Sequence, residues 1–267
     1  MKILHFIYGL SLGGAESFIR SCILALANEN IEWHFALQNP LITNQFFVQN
    51  VPSENIHILP PFTRKPIGQY QALKAILRKG NYDIVHIHAN ALINPIPLIC
   101  CLKLGQKFVI HSHSTSTSHG LICRTVHHIN KAWLNRSSVV GRIACSKEAG
   151  RWMFGCSAFT IINNAIDVNH FIFNEQSRAQ IREKYGISDD AYVVGTVGRM
   201  VEAKNYPFII TLFQELKKNV SSAKLLLVGD GPLMDIIKSR ASDLMDSVIF
   251  AGAQQNTAPF YSAMDCF

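Results

Sequence analysis

The sequence predicts an α/β protein built from two doubly wound parallel-sheet domains. Three observations predict it. Short apolar strand-like runs alternate with helix-spaced runs along nearly the whole chain, the pattern breaks once near residue 168, and glycines mark the strand ends of the second half. Alternation of this kind implies parallel strands, because a parallel neighbour can be reached only through a long crossover.

In the first domain, residues 2–8, 31–38, 55–59, 83–88, 108–113, 139–145 and 160–163 read as buried strands. Between the first two, Ala15, Phe18, Ile19, Cys22, Ile23 and Leu26 fall on a single apolar helical face. Residues 69–78, 121–135 and 147–154 repeat that spacing. At 167–174 the pattern breaks; 175–185 reads as a polar helix and 186–190 as a turn. A second series follows, with strands at 191–197, 223–228 and 247–250 and helices at 206–218, 233–244 and 257–263. The domains are therefore 1–168 and 169–267. Met264-Asp265-Cys266-Phe267 has the look of a strand beginning, so the second domain reads as incomplete, with three whole strands.

An apolar fraction of 48% is globular, not disordered. The longest apolar run, residues 91–102, is broken by Asn94, Pro95 and Pro97 and falls short of the roughly 18 residues a membrane span needs. Residues 1–10 are too short for a secretion signal, and helical spacing follows where a cleavage site would stand. The expected location is cytoplasmic. The seven cysteines form no C-x-x-C pair, which favours reduced thiols over disulfides or zinc. Residues 1–168 carry a net charge of +8 and residues 169–267 a net charge of −1, so the excess sits wholly in the first half. Anionic lipid and nucleic acid are the partners such charge attracts, beside the plain alternative of an ordinary basic surface. No interleaved basic and aromatic patch or zinc-finger spacing is present, which argues against nucleic acid.

Several motifs carry chemistry. The first strand runs into Gly9-Leu10-Ser11-Leu12-Gly13-Gly14-Ala15-Glu16 and then a helix, a turn that lets backbone approach a phosphate or that merely needs positive φ. It is not the dinucleotide fingerprint, so hydride chemistry gains no support. His86/His88 and His111/His113 close two successive strands. A zinc site would want three or four such ligands, whereas one histidine per strand facing the crevice with the others packed explains the pairs equally well; the expectation is no metal. His113 opens the hydroxyl-rich run Ser114-Thr115-Ser116-Thr117-Ser118, suited to sugars. In the second domain the strands end as Val197-Gly198-Arg199, Val228-Gly229-Asp230-Gly231-Pro232 and Phe250-Ala251-Gly252. Arg199 and Lys204 after the first of these form a pair able to clamp a diphosphate.

These segments, taken in order, resemble the retaining glycosyltransferases of family 4 with the GT-B fold (glycosyl transferases group 1), especially members of bacterial exopolysaccharide and capsule clusters. The resemblance rests on Gly13-Gly14-Ala15-Glu16, Asp83-Ile84-Val85-His86-Ile87-His88, His111-Ser112-His113-Ser114-Thr115, Ala144-Cys145-Ser146-Lys147-Glu148, Asn163-Asn164-Ala165-Ile166-Asp167, Gly198-Arg199 with Lys204-Asn205, Val228-Gly229-Asp230-Gly231-Pro232 and Tyr261-Ser262-Ala263-Met264-Asp265. It implies two Rossmann-like domains, an acceptor-side domain 1–168 and a donor domain 169–267. It implies catalytic roles for His113, Arg199 and Lys204, and donor contacts from Gly13, Gly14, Arg199, Lys204, Gly229, Asp230, Gly231 and Gly252. No cofactor is implied, since the nucleotide-sugar, a UDP-sugar by family frequency, is a substrate. The family's Glu-x7-Glu motif would follow the strand beginning at Met264 and is absent, so the chain reads as a fragment with little turnover, or as an inactive remnant. The acceptor implied is a lipid-linked or other glycan hydroxyl. Glu16, Ser114, Thr115, Arg124 and Lys131, with Arg64, Lys65 and Arg136, are the residues for an acceptor on an anionic membrane surface.

Overall fold

A computed structural model describes residues 1–116, 120–135 and 138–267. Thr117, Ser118 and Arg136, named above, lie outside the described residues. The chain divides into two compact units, Met1–Ile166 and Asp167–Phe267.

The first unit is a seven-stranded, wholly parallel sheet. Its strands are β1 (Lys2–Ile7), β2 (Glu32–Leu37), β3 (Ile56–Ile58), β4 (Ile84–Ala89), β5 (Phe108–Ser112), β6 (Val139–Ala144) and β7 (Thr160–Ile161). The spatial order is β3-β2-β1-β4-β5-β6-β7, so the winding reverses between β1 and β4. The crossovers are α1 (Gly14–Ala25), α2 (Gln45–Asn50), α3 (Pro66–Gly80), α4 (Ile96–Leu104), α5 (Gly120–Asn130) and α6 (Lys147–Phe154). A reversal of winding opens a crevice beyond the strand C-termini, where loops from neighbouring strands diverge.

The two faces of this sheet differ in chemistry. Leu4 and Phe6 of β1, Val85 and Ile87 of β4, and Phe108 and Ile110 of β5 share one apolar cluster with Leu73 and Leu77 of α3 and Leu98 of α4. Fully burying each such side chain contributes about 1.5–3 kcal/mol. The alternate residues of the same strands point the other way. At the edge that face is aliphatic and aromatic, with Ile7, Phe35 and Leu37 under Phe18 and Ile19 of α1 and Phe47 of α2. At its centre it is made of histidine.

The second unit is a three-stranded parallel sheet in the order β10-β9-β8, with β8 Val193–Val197, β9 Lys224–Val228 and β10 Val248–Gly252. Helices α8 (Tyr206–Asn219) and α9 (Met234–Arg240) cover one face; α7 (Glu175–Lys184) and α10 (Ala258–Ala263) cover the other. Residues 264–267 form only an isolated bridge, Val194 to Cys266, rather than a strand. Asp265 fixes that segment. Its carboxylate accepts from Arg178 Nη2 at 2.6 Å, Arg182 Nη2 at 2.7 Å and the Val193 N–H at 2.8 Å. Burial alone would raise its carboxyl, but the Val193 N–H and the two guanidiniums outweigh that and hold it below the usual range. Arg182 is 2% exposed and its Nη1 also reaches the carbonyls of Ser188, Asp189 and Ala191.

All seven cysteines are unpaired. No helix among the described residues is long and apolar enough to cross a membrane.

Candidate functional site

In the second unit, the loops after β8, β9 and β10 are joined through their main chains. Gly198 N donates to Val228 O at 2.9 Å, Met200 N to Asp230 O at 2.9 Å, and Gly229 N to Gly252 O at 2.8 Å. Glycine is required where these loops touch. A Cβ on Gly229, whose φ is 139°, would stand 1.9 Å from the Gly198 carbonyl oxygen. One on Gly231 would stand 2.5 Å from the Met200 carbonyl oxygen. Gly229→Ala is expected to lower the stability of this unit by about 2–4 kcal/mol, combining backbone strain with the clash. Urea unfolding followed by far-UV circular dichroism measures it.

The two cations singled out in the sequence lie on the loop that leaves β8. Arg199 leaves the end of β8, and Lys204 closes a short 3₁₀ turn, Glu202–Lys204, before α8. The Lys204 stem folds back toward Gly198, its Cε lying 3.7 Å from where a Gly198 Cβ would be. Tyr206, which is buried, donates its hydroxyl to Gly198 O at 2.8 Å and so holds the turn beneath the lysine. Both Arg199 and Lys204 are exposed, and neither makes an ion pair among the described residues. Asp230 Oδ1 accepts the Gly231 N–H at 2.6 Å, so this carboxylate braces its own loop. Gly252, at φ 69°, has open space beside its Cα.

In the first unit, the loop after β1 is shaped by close approach and not by handedness: Gly9, Gly13 and Gly14 all have negative φ. Gly13 is the N-cap of α1, and a Cβ there would meet Glu16 Oε2 at 2.5 Å. Glu16 folds back over the helix start, and its Oε1 accepts from the Ser11 hydroxyl at 3.1 Å. Gly14 faces the Asn164 amide. The carboxylate expected on an acceptor face thus lies against its own loop.

The histidines depart furthest from expectation. His113 stands half-buried at the end of β5 while His88 and His111 are buried, but the cluster is larger than the two pairs read from the sequence. The β-ladders align His5 with His86 and His88 with His111, so His5, His86, His88 and His111 share one face, and His113 follows at the end of β5. His5 was missed because nothing in the local pattern ties residue 5 to residue 86. Phe18 of α1 lies edge-on over His111, ring centres 4.5 Å apart. His5 Nδ1 lies 2.9 Å from His88 Nε2, and His88 Nδ1 lies 2.9 Å from His113 Nε2. Burial, helped by neighbouring imidazoles, depresses His5 to about 3 and His111 to about 2; burial alone takes His113 to about 4; His86 and His88 fall well below the usual value. All five are neutral at pH 7. Two trios, His5/His86/His88 and His88/His111/His113, bring nitrogens within 4.8 Å of one another, close enough for a metal. Metal-bound histidines ordinarily turn the other nitrogen to a carboxylate or carbonyl. Here His5 Nε2, His86 Nε2, His113 Nδ1 and both nitrogens of His111 are buried without a partner.

On either side of His113, Ser112 donates its hydroxyl to Ala149 O at 2.9 Å and Ser114 to Ser116 O at 2.9 Å, while Thr115 is exposed. Helix α5 exposes Leu121, Ile122 and Ile129 at 78%, 79% and 65%, next to exposed Arg124. Lys131 is drawn inward, its ammonium 5.7 Å from the Trp152 ring centre and its pKa lowered by burial.

Two parallel-sheet units of this kind, with glycine-floored strand ends, have the architecture of the GT-B fold. The chain matches the solved structure of Anabaena Alr3699/HepE in complex with UDP-glucose at a TM-score of 0.77, with 18% identity, over 99% of this chain and 72% of that one. The chain belongs to Glycosyltransferase Family 4, whose model matches residues 12–170, and residues 191–267 match Glycosyl transferases group 1. It is 25% identical to EpsF of Bacillus subtilis (strain 168), over all of this chain and 72% of EpsF. It is 33% identical to the alpha-monoglucosyldiacylglycerol synthase of Streptococcus pneumoniae (strain ATCC BAA-255 / R6), over 72% of this chain and 47% of that protein. The chain thus spans between about half and three quarters of these relatives.

Proposed function

We propose that the protein transfers a hexose from a UDP-sugar to a hydroxyl of a lipid-linked or other glycan acceptor in surface-polysaccharide synthesis, with retention of anomeric configuration. The observation that carries the reading is that Arg199, next to Gly198, and Lys204, whose stem folds back toward Gly198, are both exposed and make no ion pair among the described residues. As the glycosidic bond to the diphosphate breaks, negative charge accumulates on the leaving oxygens. Two cations there would stabilise that charge more than they stabilise the intact donor, which is the condition for faster reaction. They supply the counter-charge that a metal gives in other transferases, so the reading needs no cofactor. The Gly198, Gly229, Gly231 and Gly252 backbones leave room for the phosphates, and Asp230 holds its loop open. On the first unit, His113, Ser114 and Thr115 offer polar groups to the sugars, and Gly13 and Gly14 form the second glycine turn. The HepE complex with UDP-glucose supports UDP as the nucleotide. Titration calorimetry with UDP, against GDP as competitor, tests the reading: saturable UDP binding sustains it, and no binding at millimolar UDP removes it.

An acceptor on a lipid carrier would bring the first unit to an anionic membrane. Leu121, Ile122 and Ile129 share one face of α5 beside Arg124, and Ile67, 73% exposed, adjoins exposed Arg64 and Lys65. Apolar side chains flanked by cations suit a headgroup layer. The pneumococcal relative, whose name states a glucosylated diacylglycerol as product, agrees with a lipid acceptor. The protein is expected to sediment with vesicles containing phosphatidylglycerol and not with pure phosphatidylcholine. Ile122→Glu combined with Arg124→Glu should abolish that difference.

A further inference from the structure

A chain of side-chain amides crosses the strand C-termini of the first unit, from α3 to the end of β2. The two ends of an amide are told apart by the bonds they make, and here the main chain decides. Asn94, in the loop after β4, accepts the Ile96 N–H on Oδ1 at 3.0 Å, so its Nδ2 is the donor. That nitrogen donates to Gln38 Oε1 at 2.8 Å and to Gln69 Oε1 at 2.7 Å, which uses both of its hydrogens. Gln69, on α3, is 0% exposed and turns Nε2 to the Pro60 carbonyl at 2.9 Å. With its oxygen held by Asn94, the Gln38 amide has to turn its NH₂ elsewhere. That Nε2 has no partner among the described residues, and it is not one of the buried nitrogens that lack one. Gln38 itself is half-buried.

The neighbouring strand end repeats the device. Main-chain bonds carry the pairing of β1 with β2 beyond the strands, Gln38 N donating to Ile7 O at 3.2 Å and Asn39 N to Tyr8 O at 2.7 Å. Asn39 accepts the Leu41 N–H on Oδ1 at 3.0 Å, so the end that meets Tyr8 is Nδ2, 3.2 Å from the phenol oxygen. The Tyr8 oxygen therefore accepts, and its own hydrogen is free. Tyr8 is 67% exposed. Two uncharged donors, each oriented through a main-chain N–H, thus stand at the ends of adjacent strands, beside the reversal of winding between β1 and β4. Ligands of such sheets bind there, and a few polar groups aimed in advance set the preference. Neither donor brings a counter-charge for an anion, so the group they suit is a neutral oxygen.

We propose that Gln38 and Tyr8 bind a neutral sugar of the acceptor by donating to its hydroxyl oxygens, with Asn94 and Gln69 as positioning residues that keep the Gln38 NH₂ free. Giving that sugar to the acceptor rests on the proposed function; the orientation of the amides does not.

Side-chain ¹H–¹⁵N spectra of the ¹⁵N-glutamine-labelled protein resolve the NH₂ pairs. Gln38→Glu, which still accepts from Asn94, identifies the Gln38 pair by its loss. The probes are the methyl glycosides of glucose, galactose, mannose and N-acetylglucosamine, with inorganic phosphate as the charged counterpart. At least one glycoside should shift the Gln38 pair saturably, and phosphate should leave it in place. Tyr8→Phe removes only an exposed hydroxyl and should weaken that binding by about twofold to tenfold, the worth of one neutral hydrogen bond. In Asn94→Asp a carboxylate accepts where the amide donated, so Gln38 should reverse and its NH₂ pair should become protected from solvent exchange. Unchanged exchange in Asn94→Asp would overturn the positioning role. No shift with any glycoside, a shift with phosphate, or undiminished binding in Tyr8→Phe would overturn the site. The wild-type titration requires no variant to fold. Failure of UDP to bind would sink the donor reading and leave the response of Gln38 to sugar untouched.

Discussion

Arg199→Ala and Lys204→Ala are each expected to weaken UDP binding by about tenfold to a hundredfold. A hydrogen bond to a charged group contributes about 1.5–3 kcal/mol, and each 1.4 kcal/mol is a factor of about ten in affinity. Neither side chain makes an ion pair among the described residues, so removing it strands no buried partner and should leave folding intact. The glycine floor is held by main-chain bonds that survive either substitution. Arg199→Lys should restore only part of the loss, because an ammonium cannot match the two-pronged contact of a guanidinium with a phosphate. Titration calorimetry of UDP gives the constants. Lys218→Ala, which removes an exposed lysine already paired with Glu215, is the control and should bind UDP as the wild type does. An unchanged Kd in Arg199→Ala would show that the diphosphate lies elsewhere.

The second large effect is acid instability of the first unit. In the unfolded chain the cluster histidines titrate near 6.5, whereas folded His5, His111 and His113 stay neutral to about 3, 2 and 4, and His86 and His88 to well below 6.5. Between pH 6.5 and about 4 the unfolded state therefore binds more protons than the folded state. Lowering the pH through that window favours unfolding; raising it restores stability. Each displaced histidine contributes about 1.4 kcal/mol per pH unit, so several acting together would consume a typical domain stability of about 5–15 kcal/mol within a few units at most. The expected result is a steep loss of structure between about pH 6 and pH 4. All three tryptophans, Trp33, Trp133 and Trp152, lie in this unit, so their fluorescence reports it alone. His111→Leu removes a wholly buried ring with both nitrogens unpartnered and should shift the acid transition to lower pH. A transition that stays where it was would mean that these rings do not govern it.

Much of the architecture could be read from local pattern, because strand and helix periods are local. The helix over Lys147–Phe154 begins where Ser146 caps it, its hydroxyl accepting the Ala149 N–H at 3.1 Å. Helix α4 was hidden because Pro95 and Pro97 look like breakers, yet they stand at the N-cap and first turn, where the missing N–H would have no helical partner anyway. Short α2 gave too few residues for a period. Glycines at the strand ends of the second unit were legible as openings. That Gly229 and Gly231 must be glycine because neighbouring loops touch there depends on which loops become neighbours. The histidine cluster was half visible: alternation put His86 with His88 and His111 with His113, but only the pairing of β1 with β4 brings in His5. Asp265 was visible as a residue and not as a clamp, since Arg178 and Arg182 lie more than eighty residues earlier.

A floor stitched from peptide groups is indifferent to most substitutions around it. Its outline depends on a few small residues and on bonds every sequence can make, so the rim can be rewritten without remaking the bed. On the proposed reading, preference among nucleotides or sugars is set by side chains on the walls, and exchanges there leave the main-chain bed as it is.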